Sequence, residues 1–217
     1  MAQKKNKSTE KKSVKKAPLT KPVIAEKGLV ISYIGAGKGK TTAAMGIAVR
    51  AAGAGLNVFI LQFVKAKKST GGNRSEGAWP LSCEIDFFNS TSYKPPIGSI
   101  ENEQTGLGFV GILGDKKEKN VHIREALNGL ERARQIITSG KYQVVILDEL
   151  LSALELKLIE EGDILDLIVI KPPMMHLVIT GHNKFPNIIK VCDLVTEMKM
   201  IKHPYYQGIL AQRGIDY

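Results

Sequence analysis

The sequence predicts an α/β protein with a mostly parallel sheet and helices on both faces. Three observations predict it. Four short runs are apolar almost throughout rather than alternating: residues 28–34 (GLVISYI), 57–64 (NVFILQFV), 143–147 (QVVIL) and 176–180 (HLVIT). Strands buried on both faces read this way, and they belong to parallel sheets covered by helices. Helical stretches separate the runs, as a chain of βα units requires. Polar and glycine-rich groups follow the runs, at the carboxyl ends where such sheets bind ligands.

The elements follow in order. After the first run comes a glycine-rich turn, Gly35 to Gly39, and then a helix over 41–54. Met45, Ala48, Val49 and Ala52 repeat there at helical spacing, and Gly53 and Gly55 mark its end. The second run is a strand at 57–64, and 84–88 predicts a shorter third. Residues 122–139 predict a helix with Ile123, Ala126, Leu127, Leu130 and Ile137 on one face. Strong strands follow at 143–147, closed by Asp148-Glu149, and at 176–180, ending at Gly181. A further strand is expected at 195–201. Residues 65–80 and 89–120 lack regular pattern, and connections of that length are functional or mobile.

Composition narrows the classes. The chain has 217 residues, 43% hydrophobic and 24% charged, which excludes a wholly disordered chain and an integral membrane protein. The longest apolar stretch, 142–158, is broken by Asp148, Glu149, Glu155 and Lys157 and spans no membrane. Cys83 and Cys192 are too few for a disulfide framework and are read as buried thiols in a reducing compartment. The net charge of +10 is concentrated at one end: residues 1–27 hold nine lysines against Glu10 and Glu26. These residues read as a disordered Lys-rich tail, without the apolar segment of a secretory leader. Residues 28–217 read as one near-neutral domain. No specific nucleic-acid binding is expected of it; the alternative reading of the tail, a weak electrostatic arm for phosphates or anionic lipid, is less favoured than a solvated leader.

The most informative stretch is Gly35-Ala36-Gly37-Lys38-Gly39-Lys40-Thr41-Thr42, between a strand and a helix. Glycines let successive N–H groups point into one concavity, and the helix N-terminus adds partial positive charge. Lys40 can reach a phosphate oxygen, and the Thr41 hydroxyl can ligate Mg²⁺. The usual G-x-x-x-x-G-K-[ST] pattern would have glycine where Ile34 stands, so this is a variant P-loop. Lys38 is an extra cation suited to a polyphosphate. Asp148-Glu149, after an apolar strand, fits the acidic, metal-holding partner of such a loop. The fold class is therefore P-loop NTPase-like, with an ATP–Mg²⁺ site. Three uses stay open: transfer of a γ-phosphoryl group by an ATPase or kinase, attack elsewhere on ATP, or nucleotide binding as a switch.

Further segments resemble the P-loop corrinoid adenosyltransferases. They are Gly35 to Gly46, Arg50-Ala-Ala-Gly53, Gln62-Phe-Val-Lys65, Val145 to Glu149, Leu177 to Gly181, Cys192 to Met198, Lys202-His-Pro204 and Gly208 to Tyr217. The resemblance implies transfer of the 5′-deoxyadenosyl group of ATP to Co(I) of a reduced corrinoid, cobalamin or cobinamide, with triphosphate leaving intact. It implies catalytic roles for Lys40, Thr41 and Glu149, with Mg²⁺ at Thr41, Glu149 and Asp148. It also implies a cytoplasmic homodimer and a flavoprotein reductase as electron source. Corrinoid-side residues carried over from it are Phe109, Gly111, His182 and Met198. Gly111 stands where the family often has an aromatic, and His182 where it has arginine.

Overall fold

The computed structural model describes residues 27–66, 83–108, 110 and 117–216. Its first strand, β1 (Val30–Ile34), passes through the glycine turn into helix α1 (Lys40–Gly53), and β2 (Val58–Ala66) follows. Helix α2 (Cys83–Ser90) precedes β3 (Ile100–Gly106), and α3 (Lys119–Thr138) precedes β4 (Val144–Asp148). Helices α4 (Leu150–Glu155) and α5 (Glu161–Ile170) lead to β5 (His176–Thr180), and α6 (Pro186–Val191) leads to β6 (Leu194–Glu197). A 3-10 turn lies at Pro204–Gln207.

The six strands lie in the order β3-β2-β4-β5-β1-β6, and every pairing is parallel. All carboxyl ends therefore share one edge of the sheet. The register aligns Gln104, Gln62 and Asp148 across β3, β2 and β4, and pairs Tyr33 with Thr180. Strand β5 separates β1, which carries the glycine loop, from β4, which ends at Asp148.

Side chains alternate along each strand, so each buried strand feeds two cores. Val58, Ile60, Val144, Ile146 and Val178 pack with Ala44, Met45 and Ala48 of α1 on one face. Phe59, Leu61, Phe63, Val145, Leu147 and Ile179 pack on the other with residues of α3, α4, α5 and α6. Each fully buried side chain of this size contributes roughly 1.5–3 kcal/mol. These two layers hold the loop-bearing edge rigid.

The structure corrects several expectations. Residues 84–88 are helical, because Ile85 and Phe88, three apart, are the buried pair while Phe87 is exposed. Strand β3 arises in a stretch without apolar pattern: it is an edge strand, so its polar residues keep contact with water. Val49 and Leu127, expected on core faces, are exposed, and the small residues Ala51, Gly129 and Ala133 lie inward instead. Gly129 is packed so closely that a Cβ there would lie 2.8 Å from Thr105 Oγ1 and 2.9 Å from Phe63 Cε1. Strand β6 ends at Glu197 rather than 201. Both cysteines are free thiols but only partly buried. Most of the expected tail, residues 1–26, lies outside the described residues, while Lys27 pairs with Asp193. No described helix is long and apolar enough to cross a membrane.

Candidate functional site: a phosphate loop facing paired carboxylates

The loop between β1 and α1 turns at Gly35 (φ 111°) and Gly39 (φ 105°), in the left-handed region that favours glycine. Its backbone is pinned from two sides. Gly35 N–H donates to His182 O at 2.9 Å, and Gly37 N–H donates to Met198 O at 2.8 Å. A Cβ on Gly35 would lie 2.4 Å from Met198 O, so only glycine fits this approach. Helix α1 begins without a side-chain cap and without an acidic residue in its first turn. Its leading N–H groups have no intrahelical acceptor and carry the positive end of the helix dipole. An anion is the natural acceptor for them.

Lys40 folds back over the loop. Its ammonium donates to Gly35 O at 2.8 Å and to Gly37 O at 2.9 Å, and the residue is buried. Burial pushes its pKa below the ordinary lysine value, while the charges of Glu149 and Asp148 oppose the shift. Lys38, by contrast, reaches outward and pairs with Asp216. Ala36 and Thr42 are exposed on the loop and the first turn of α1.

Asp148 is fully buried, and its carboxylate is held on several sides. Oδ1 accepts from Thr41 Oγ1 at 2.9 Å and from Thr180 Oγ1 at 2.8 Å. Oδ2 accepts from Gln62 Nε2 at 3.1 Å, and Gln104 Nε2 donates to Gln62 Oε1 at 3.0 Å. A polar chain thus crosses β3, β2 and β4 and ends on α1. Buried polar groups need such partners, since an unsatisfied one costs about 1–3 kcal/mol.

Glu149 has φ 61°, a left-handed conformation that costs a non-glycine residue roughly 1–2 kcal/mol. Its amide donates to Thr180 Oγ1 at 2.8 Å, so one threonine hydroxyl serves both acidic residues. The Glu149 carboxylate accepts a hydrogen bond from Ser152 Oγ. His182 Nδ1 lies 3.2 Å from Ser152 Oγ and 4.0 Å from Glu149 Oε2.

The structure therefore gathers Gly35 to Thr42, Asp148, Glu149 and His182 at one edge of the sheet. It places Met198 against the phosphate loop, where a Cβ on Gly39 would lie 3.6 Å from Met198 Sδ. Thr41 meets Asp148 rather than Glu149. Phe109 and Gly111 lie outside the described residues. Gln62, Ser152 and Asp216 were not among the expected site residues. Gln62 left a signal, a lone amide inside an apolar strand, and Asp216 lies in the family-like terminus Gly208 to Tyr217; Ser152 left none, since it interrupts no pattern.

A buried ammonium at the uncapped N-terminus of α1 suits an anionic occupant such as a phosphate group. Fold and site define a P-loop nucleotide-binding α/β protein. A family model described as ATP:corrinoid adenosyltransferase BtuR/CobO/CobP matches residues 26–217, and the chain belongs to that family. It is 32% identical over 192 residues to a corrinoid adenosyltransferase of Pseudomonas aeruginosa, covering 88% of this chain and 85% of that one. A corrinoid adenosyltransferase of a Sinorhizobium species is 32% identical over 194 residues, covering 88% and 81%. One from Escherichia coli K12 is 29% identical over 192 residues, covering 88% and 87%.

Proposed function

We propose that this protein transfers the 5′-deoxyadenosyl group of ATP to Co(I) of a reduced corrinoid, cobalamin or cobinamide. The observation that carries the reading is the buried Lys40 ammonium inside a glycine loop, beside Asp148 and Glu149, in a chain of this family. The Co(I) electron pair forms the bond to C5′. The C5′–O5′ bond breaks, and triphosphate leaves with its electrons. No proton moves, so no general base is required.

The protein's tasks are then alignment and stabilisation of charge on the leaving group. Lys40 and the uncapped leading N–H groups of α1 face the accumulating negative charge, and Lys38 joins them once it leaves Asp216. Each preorganised contact of this kind contributes on the order of 2–4 kcal/mol to lowering the barrier. Asp148, locked by Thr41, Thr180 and Gln62, fixes the first turn of α1 relative to β4.

The oxygen donors present fit Mg²⁺. Among the described residues no group of three or more His, Cys, Asp or Glu could hold a metal. The available set is the Thr41 hydroxyl with Asp148 and Glu149, which suits an ion bound mainly by phosphates and water. When bound, the ion supplies neutralisation of triphosphate charge. Phe109, Gly111, His182 and Met198 are assigned to the corrinoid side on family resemblance. The same resemblance supports a cytoplasmic homodimer fed by a flavoprotein reductase, which sedimentation and reconstitution with a reductase test.

The experiment is an anaerobic assay with ATP and chemically reduced corrinoid, following the Co(I) absorption. Wild-type protein should consume the signal, and Lys40→Ala should nearly abolish the rate. A near-normal rate in Lys40→Ala would remove the loop from the mechanism.

A further inference from the structure

The segment that leaves β6 touches the phosphate loop at both of its ends. Met198 N–H donates to Ile34 O at 2.7 Å, and Met198 O accepts from Gly37 N–H at 2.8 Å. Eighteen residues later the carboxylate of Asp216 returns to pair with Lys38 in the same loop. Among the described residues, little holds the segment between these contacts. Every residue from Pro204 to Asp216 is exposed. The hydrogen bonds described between them are local: Gly208 N–H to Tyr205 O at 2.9 Å, Ile209 N–H to Pro204 O at 3.2 Å, and Asp216 N–H to Gln212 O at 2.8 Å. Asp216 Oδ2 also accepts from Gln212 N–H at 2.9 Å, so the carboxylate is aimed by its own turn.

We propose that Asp216 is an affinity-setting residue of the phosphate site: it competes with polyphosphate for Lys38, and residues 203–216 form a strap, anchored upstream at Met198, that is displaced when polyphosphate occupies the loop. The proposal rests on the assignment of this loop to the triphosphate of ATP.

The physical argument is one of competing charges. Lys38 is the loop's outward-facing cation, with its side chain 53% exposed, while that of Asp216 is 21% exposed. A pair of single charges at the surface, one half exposed and the other partly so, contributes little to stability, so breaking it is cheap. A polyphosphate carries several negative charges and draws the same ammonium more strongly. Once Lys38 turns to it, Asp216 faces like charge and loses its partner. The carboxylate is ionised at neutral pH like any ordinary aspartate, and the hydrogen bond from Lys38 draws its pKa lower still. In the reverse direction, Asp216 recaptures Lys38 and speeds departure of triphosphate after transfer.

The test measures binding of inorganic tripolyphosphate by calorimetry, with hydrogen exchange of the 203–216 backbone in the free and bound protein. Wild type, Asp216→Asn, Lys38→Ala and the double variant are compared. Polyphosphate should raise exchange of the segment in wild type. Asp216→Asn should bind about fivefold tighter, and both single variants should show raised exchange already when free, with no further rise in the double variant. If wild type binds tripolyphosphate but the segment's exchange is unchanged and Asp216→Asn has the same affinity, the strap is wrong and the phosphate loop stands. If neither wild type nor Asp216→Asn binds tripolyphosphate, the phosphate assignment fails and the strap falls with it. Asp216 lies on the surface, so Asp216→Asn should leave unfolding in urea unchanged.

Discussion

The hydroxyl of Thr41 donates to the carboxylate of Asp148 at 2.9 Å, tying the first turn of α1 to the end of β4. The loop that precedes α1 is thereby fixed relative to the acidic edge of the sheet. Thr180 and Gln62 complete the cage around the same carboxylate. Asp148→Asn places an NH₂ group where these donors expect an acceptor. It should destabilise the protein by about 2–3 kcal/mol in urea unfolding, because a buried donor is left facing donors. Thr41→Ser keeps the hydroxyl and should cost much less. Equal stability of Asp148→Asn and wild type would deny the cage its structural role.

Lys40 makes a prediction about pH. Its ordinary value is 10.5, and burial lowers it in the folded protein. Between the lowered value and 10.5 the unfolded chain binds more protons than the folded one, so Lys40 makes stability rise with pH across that window. Below the window its buried charge is a constant burden. Ligand-free Lys40→Met should therefore be at least as stable as wild type at pH 7. The advantage should shrink as pH climbs through the window, read from urea unfolding at stepped pH. Tripolyphosphate should raise the melting temperature of wild type and leave that of Lys40→Met unchanged. A variant clearly less stable than wild type at pH 7 would mean that the two carbonyl contacts outweigh burial.

Much of this site was legible because its chemistry needs unusual residues in a fixed order. Glycines, lysine and threonine between a strand and a helix announce a phosphate loop, and Asp148-Glu149 stands out after an apolar strand. What was hidden depends on distance in space. Ser152 looks ordinary in sequence and matters only because the chain brings it to Glu149; Asp216 belongs to the family-like terminus, but its meeting with Lys38 is visible only in space. Residues 84–88 suggest a strand in sequence but lie in the helix Cys83–Ser90, because five residues offer too little periodicity to separate a spacing of two from one of three. Strand β3 was invisible because an edge strand need not be apolar.

Ser32 is buried in β1, and its hydroxyl has no hydrogen-bond partner among the described residues. Removing a polar atom that gains nothing should be harmless. Ser32→Ala is expected to match wild type or to exceed it by up to about 1 kcal/mol in chemical denaturation. A marked loss of stability would indicate a partner for this hydroxyl in solution.

Burial pushes the Cys192 thiol up to about 11. Little of it is thiolate at pH 8, and the thiolate is the reactive form. Alkylation of Cys192 by iodoacetamide at pH 8, followed by mass spectrometry of the intact folded protein, should be on the order of a hundredfold slower than that of free cysteine. Labelling at the rate of an exposed thiol would contradict the packing of the α6–β6 turn.

The central claim is that the loop steadies an intact triphosphate as it departs from carbon. Phosphorus NMR of the products, after anaerobic reaction of ATP with chemically reduced corrinoid, tests it most directly. The account predicts tripolyphosphate in proportion to the Co(I) consumed. Orthophosphate and ADP in that proportion, with no tripolyphosphate, would contradict it.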